Sequence, residues 1–369
     1  MIFDIVFYVF AGITAIQVLY YLGVFSQFAF AKKQPPKPKK IPISVIVCAK
    51  NQEENVKMFV PILARQNYPN YEIVLINDAS SDDTLEVFKE FAKQYPNIKL
   101  VDVVNNEAFW ANKKYALTLG IKAATNEYLL FTDSNSYPSS ENWITEMSAC
   151  FTPTKTIVLG YGAYEKVRKS FLNLLIRFDT MLHSTQYFAW AKLGKPYTGS
   201  GKNMAYKREE FFKTNGFINH MQIRMGEDSL FINEAATAKN TTICFNKDSF
   251  TYSKAKTTFK DWFKLKQNRS AVITFFKSFD KFQLGLFHFS QFWFLILAIL
   301  LLAVGYNWIY LVSLIGFRYL ISWLVLGFSA SKLSEKDTIY FYPFLEIIMM
   351  FIQANLFFVN LFSKPKPWK

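Results

Sequence analysis

Three apolar runs between residues 43 and 135 each stop abruptly at polar or acidic residues, and no other feature restricts the fold as much. Ile43-Ser44-Val45-Ile46-Val47-Cys48 runs into Ala49-Lys50-Asn51-Gln52-Glu53, and Tyr71-Glu72-Ile73-Val74-Leu75-Ile76 runs into Asn77-Asp78-Ala79-Ser80. The third, Tyr128-Leu129-Leu130-Phe131-Thr132, runs into Asp133-Ser134-Asn135. Such a run is a buried strand that delivers polar side chains to its carboxyl end. Helical patterns follow, with Asp82 or Asp83 placed to cap a helix over Thr84 to Phe91. A further strand is expected at Ile98 to Val104 and a helix from about Lys113 to Thr125. Strand-helix repetition with short connections predicts an α/β fold with a mostly parallel, doubly wound sheet. Its polar strand ends share one edge, where ligands bind in such sheets. There Asp133 is placed to hold a hard cation, which takes one or two protein oxygens and keeps waters when it bridges phosphates. For that segment alone, an Asx turn built on Ser134, Asn135 and Pro138 is the alternative.

Composition adds a second constraint. With 51% hydrophobic residues, 18% aromatics and a net charge of +14, the chain is too apolar for an ordinary cytosolic enzyme and too charged for a pure helical membrane bundle. Residues 2 to 30 carry one charge, Asp4, and are long enough to cross a hydrocarbon core of about 30 Å. A cleaved signal peptide is disfavoured by that length, the lack of a basic start and the Lys32-Lys33 pair. Lys32 to Lys40 is a stiff, basic, proline-rich linker that the positive-inside rule places in the cytoplasm. Apolar runs at about 283 to 304, 306 to 328 and 340 to 362 can each span, with Gly305-Tyr306-Asn307 as a tight turn. Residues 167 to 195 and 257 to 281 are basic, aromatic and amphipathic, which suits a membrane interface; for the first, a helix packed on the sheet is an equal alternative. The excess positive charge lies beside these apolar segments, so anionic lipid is expected as its partner and nucleic acid is not.

The expected organisation is an N-terminal membrane helix (1–31), a linker (32–41), a cytoplasmic catalytic domain (42–256), interfacial helices (257–282), C-terminal membrane helices (283–363) and a basic tail (364–369). Counting crossings puts the tail outside, against the positive-inside rule, which leaves a re-entrant or interfacial final segment, or a tail too short to matter, as the alternatives. Cys48, Cys150 and Cys244 are widely spaced and odd in number, indicating neither a disulfide framework nor a zinc site. His183, His220 and His288 are equally scattered.

Two further segments complete a site. Thr198 to Arg208 sets a glycine loop, with Gly201 and Asn203, before a short strand, and Gly226-Glu227-Asp228 sets adjacent acids at a helix start. Taken together and in this order, residues 42 to 270 resemble the family 2 glycosyltransferases of GT-A fold, particularly membrane-anchored inverting enzymes with the layout of ceramide glucosyltransferases. The resemblance implies a GT-A type sheet with flanking helices, one N-terminal and about three C-terminal transmembrane helices. It implies that Ala49, Asn51, Glu53 and Asp78 hold the nucleotide, and that Lys113 approaches the diphosphate, with Asn112 in place of the usual Gly. Ser134, Gly201 and Asn203 are further donor-binding positions. Asp133 and Asn135 match the metal-binding Asp-x-Asp motif for Mg²⁺ or Mn²⁺, with an amide where the second acid is expected. Of the catalytic candidates Glu227 and Asp228, the latter matches the general base. Gln267 and Arg269 resemble the Gln-x-x-Arg-Trp motif, with Ser270 replacing Trp.

The implied activity is inverting transfer of one sugar from a nucleoside diphosphate sugar, expected to be a UDP-sugar, to a membrane-embedded lipid or lipid-linked acceptor. The implied location is integral to the inner or plasma membrane. A processive polysaccharide synthase is the rival within the enzyme class; an inactive scaffold or nucleotide-sugar-binding protein is the rival outside it.

Overall fold

The computed structural model describes residues 1–33, 39–104, 113–223 and 225–362. Asn112, most of the basic linker and the C-terminal tail therefore lie outside the described residues. The chain divides into two compact units, a helical one (Met1–Lys32, Lys169–Leu193 and Thr257 onward) and a sheet-based one (Lys33–Arg168 and Gly194–Lys256).

The sheet-based unit is built on strands β1 (Ile43–Ala49), β2 (Tyr71–Asp78), β3 (Ile98–Val103), β4 (Tyr128–Asp133), β5 (Ser136–Pro138), β6 (Ile157–Leu159), β7 (Gly162–Tyr164), β8 (Met204–Lys207), β9 (Thr241–Ile243) and β10 (Thr251–Ser253). Seven of them form one sheet in the order β3-β2-β1-β4-β8-β6-β9, and β5-β10-β7 form a second. The first four strands of the large sheet are mutually parallel, and β8 runs antiparallel to both of its neighbours. Every residue of β1 is buried, as the unbroken apolar run requires of a central strand covered on both faces. Val45, Val47, Ile73, Leu75 and Leu130 share one core cluster with Trp143, Ile144 and Met147 of the helix Trp143–Ala149.

Register brings the polar strand ends together. Ala49 pairs with Asn77 and Cys48 with Asp133, so β1, β2 and β4 finish at one edge. The expected helices follow at Glu53–Ala64, Thr84–Gln94 and Lys113–Ala123. Asp82 rather than Asp83 secures the first two: its carboxylate accepts from the Thr84 amide and hydroxyl and from the Glu53 amide. Lys113–Ala123 packs closely on β2, because a Cβ at Gly120 would stand 2.1 Å from Ile76 Cδ1.

Among the described residues of the helical unit, four helices are long and apolar enough to cross a membrane: Ile2–Ala29, Ser278–Val304, Trp308–Lys332 and Tyr342–Asn360. The first contains a π-helical turn, Tyr20–Phe25. The tight turn between the second and third is closed by Gly305 (φ 67°) and Asn307 (φ 45°), the two residue types that best tolerate the left-handed region. Residues 278–282, expected in an interfacial segment, instead begin the long helix Ser278–Val304. Helix Phe171–Lys192 belongs to the helical unit. It buries polar residues as well as apolar ones, and its Arg177 is paired with Glu335 and with Asp337 at 2.7 Å.

Candidate active site

Asp133 closes β4, and the next polar group to reach it comes from the first residue of a helix. The ammonium of Lys113 lies 3.1 Å from Asp133 Oδ1 and 2.7 Å from Glu227 Oε1. Burial works against the Lys113 and Glu227 charges, yet the pair sustains itself. Burial lowers the Lys113 pKa, but Asp133 and Glu227 carry it well above the ordinary lysine value. Burial raises that of Glu227, but the charge and hydrogen bond of Lys113 bring it below the ordinary carboxylate value.

Asp228 stands in the same pocket as Lys113, Asp133, Gly201 and Glu227, above apolar walls that include Phe131 and Tyr206. A left-handed turn at Gly226 (φ 87°) precedes the two acids, a conformation that glycine adopts without strain. Asp228 then caps helix Ser229–Ala235: Oδ1 accepts from the Ser229 amide at 2.6 Å, and Oδ2 accepts from the Gly201 amide at 2.7 Å. A Cβ at Gly201 would sit 3.2 Å from Asp228 Oδ2, so the loop fits closely against the acid it holds.

The nucleotide-binding candidates occupy the neighbouring strand ends. Asp78, at the end of β2, is 6% exposed; burial raises its pKa while Lys50 and Lys113 oppose the rise. Lys113 is thus the electrostatic neighbour common to Asp78, Asp133 and Glu227. Ala49 is buried at the end of β1. Asn51, in the left-handed region at φ 52°, accepts from the Ser81 amide at 2.8 Å and so ties the loop after β1 to the loop after β2. Glu53 pairs with Lys57 one turn along its helix at 2.6 Å.

Ser134 is half-buried and Asn135 exposed just beyond Asp133, where the Asn135 amide oxygen accepts a long 3.4 Å bond from Ser136 Oγ. One carboxylate and one amide oxygen at a strand edge fit a hard divalent cation that takes its other ligands from phosphate and water. Buried Thr132 Oγ1, which also lines the pocket, has no hydrogen-bond partner among the described residues. No group of three or more His, Cys, Asp or Glu placed for a metal occurs among the described residues.

Of three further expected site residues, one is committed to the core and two belong to the helical unit. Asn203 is fully buried: its amide nitrogen donates to Tyr161 O at 3.0 Å and Ser249 O at 2.6 Å, and its oxygen accepts from Trp143 Nε1 at 3.1 Å. Those bonds commit both ends of the amide to holding the glycine loop in the core. Gln267 and Arg269 lie on helix Phe259–Val272 of the helical unit, and one residue separates them where the motif has two. Ser270, in place of the motif's Trp, donates to Gln267 O and accepts from Asn360 Nδ2 at 2.8 Å. The hold of the Gly201 amide on Asp228 was not read from the sequence, since 27 residues separate the two.

Comparison with known proteins gives a consistent picture. Residues 44–216 match the family Glycosyl transferase family 2. The chain is 32% identical over 102 residues to a poly(ribitol-phosphate) beta-glucosyltransferase of Bacillus spizizenii, covering 27% of this chain and 16% of that protein. It is 37% identical over 93 residues to a poly-beta-1,6-N-acetyl-D-glucosamine synthase of Staphylococcus epidermidis, covering 25% of this chain and 21% of that one. The chain thus spans about a fifth of the length of these curated relatives. Among solved structures, the mannosyltransferase PcManGT of Pyrobaculum calidifontis, in complex with GDP-Man and Mn²⁺, superposes with a TM-score of 0.60 at 15% identity, covering 95% of this chain and 99% of that one. At that identity the likeness is one of fold.

Proposed function

We propose that the chain, whose residues 44–216 match Glycosyl transferase family 2 and which carries four helices long and apolar enough to cross a membrane, moves one sugar from a nucleoside diphosphate sugar to a hydroxyl of a lipid or lipid-linked acceptor, with inversion at the anomeric carbon. The observation that carries this reading is the Lys113 ammonium between Asp133 and Glu227, with Asp228 held by two backbone amides in the same pocket. One end of that pocket suits a leaving diphosphate and the other an attacking alcohol.

In the proposed step the acceptor hydroxyl gives its proton to the Asp228 carboxylate while its oxygen bonds to the anomeric carbon. The bond from that carbon to the diphosphate breaks on the opposite face, and the electron pair leaves with the nucleoside diphosphate. The two amides on Asp228 hold it charged and oriented before the alcohol arrives, which is what a general base requires. Lys113 lies where it can follow the negative charge that grows on the departing phosphate, releasing Asp133 and Glu227 as it does so. Asp133 and Asn135 would hold a Mg²⁺ or Mn²⁺ ion, whose chemistry is to neutralise the diphosphate as a Lewis acid. Asp78, Asn51 and the amide end of helix Glu53–Ala64 are assigned to the nucleoside.

The four membrane-length helices support an acceptor delivered from the bilayer, and the lysines that follow the first of them support a cytoplasmic catalytic unit. Single transfer is favoured over polymerisation because Ser270, bonded to Asn360, offers no aromatic face to stack against a growing sugar chain. Detergent-solubilised full-length protein, given native lipid extract and radiolabelled UDP-glucose, UDP-N-acetylglucosamine or GDP-mannose in turn, is expected to place label in the organic phase on a product carrying one added sugar. Label confined to aqueous polymer or soluble saccharide overturns the lipid acceptor.

A further inference from the structure

Lys114 is fully buried, although it lies in the first turn of its helix and its side chain is among the costliest to desolvate. Its ammonium donates to three backbone carbonyls: His220 at 2.7 Å, Ile223 at 2.7 Å and Met225 at 3.1 Å. Three carbonyls match the three N–H groups of a lysine ammonium. All three belong to the stretch that leads directly into Gly226, Glu227 and Asp228. Among its described residues that stretch has little regular structure beyond the short turn Ile218–His220. The helix that carries Lys114 is by contrast anchored to the sheet through Gly120 against Ile76. The neighbouring Lys113 grips the carboxylate of Glu227 at 2.7 Å, so consecutive lysines hold one segment by its backbone and by its side chain.

We propose that Lys114 is a positioning residue for sugar transfer: it fixes the backbone that delivers Asp228 to the acceptor hydroxyl, without itself touching either substrate. The inference rests on the reading of Asp228 as the base.

Charge makes the clamp separable from simple packing. Burial brings the Lys114 pKa down to about 8, against the pull of Glu227 and Asp228. Below that pH the ammonium serves three carbonyls; above it a neutral amine has two N–H groups, and one carbonyl loses its donor. The other shifted groups around it titrate far from this value. Burial and Lys114 hold His220 at about 4, burial pushes Cys48 to about 12, Lys113 stays well above the lysine range, and Glu227 stays below the carboxylate range.

The test compares wild type, Lys114→Met and Asp228→Asn as full-length protein in detergent with MgCl₂, using nucleotide release from the sugar nucleotide that is turned over and UDP binding by calorimetry. Wild-type kcat is expected to fall as pH rises through about 8, while UDP affinity changes by less than about twofold. Lys114→Met is expected to lose roughly 10²-fold in kcat, to lack that alkaline limb and to bind UDP as wild type does, because small displacements of a catalytic group cost rates of this order. Unchanged kcat in Lys114→Met, or kcat and UDP affinity falling in parallel, overturns the proposal. So does a wild-type kcat that is flat from pH 7 to 9, a result that does not depend on the variant folding. If Asp228→Asn turns over like wild type, the base assignment has failed; if Asp228→Asn is inactive and Lys114→Met is not, the clamp alone has failed.

Discussion

Asp228→Asn is expected to lower kcat by about 10²–10⁴-fold while leaving UDP binding close to wild type. The size of the loss follows from what the substitution removes. An amide has almost the same shape as the carboxylate, so the helix Ser229–Ala235 keeps an acceptor at its cap: the amide oxygen can still receive the Ser229 N–H. The other position becomes an NH₂ group facing the Gly201 N–H, donor against donor, and one contact is lost. An amide cannot take a proton from an alcohol at neutral pH. Asp78, Lys113 and Asp133 lie on strand ends and a helix start that this change leaves alone, so the nucleotide keeps its contacts. Steady-state kinetics together with UDP calorimetry check both halves. Turnover within about threefold of wild type would remove Asp228 from the base role, and loss of UDP binding alongside turnover would make it a structural residue.

The second large effect is expected in the helical unit. Arg318 lies ten residues into helix Trp308–Lys332, roughly 15 Å along its axis and therefore near mid-span. It is 1% exposed, and its two terminal nitrogens meet the two oxygens of Glu346 at 2.6 Å each. Gln17 Oε1 accepts from the same guanidinium at 2.9 Å, while Gln291 and Tyr342 donate to Glu346 at 2.8 Å and 2.9 Å. One residue or more from each of the four membrane-length helices takes part. Glu346→Leu strands the arginine charge in an apolar setting and is expected to cost about 3–5 kcal/mol of stability. Arg318→Leu combined with Glu346→Leu removes both charges together and is expected to recover most of that loss, because a buried pair owes much of its apparent value to the penalty of leaving one member alone. Thermal unfolding of the solubilised protein, read by loss of the monodisperse peak, decides between these outcomes. A single variant within about 1 kcal/mol of wild type, or a double variant worse than either single, contradicts this account.

The strand ends were legible because an apolar run that stops at an acid is a local signal. Asp78 and Asp133 follow directly from β2 and β4, and their common edge follows from parallel pairing, which the register of Cys48 with Asp133 and Ala49 with Asn77 bears out. The four membrane-length helices were legible from length and hydropathy alone. Contacts across long separations were not. Lys114 meets carbonyls more than a hundred positions away, and Gly201 meets Asp228 at 27, so no spacing rule reaches either. One clue to Lys114 was present: it shares a helix stripe with Leu117 and Ile121, both buried, and a lysine inside an apolar stripe must find internal partners. Asn203 misled for the opposite reason. A polar residue beside a glycine loop resembles a ligand contact, yet its amide is used within the core by Trp143, Tyr161 and Ser249. The partners of Arg177 on helix Phe171–Lys192 were likewise out of reach, because Glu335 and Asp337 lie far along the chain from it.

The most direct measurement of the central claim is the anomeric configuration of the new glycosidic bond, read from the one-bond carbon–hydrogen coupling in the NMR spectrum of the purified product. On the proposed reading, with Asp228 as the base and Lys113 as the diphosphate's partner, a single displacement takes an α-linked sugar nucleotide to a β-linked product. An α-linked product would contradict it, because retention requires a second displacement or a same-face attack, and the proposed step contains neither.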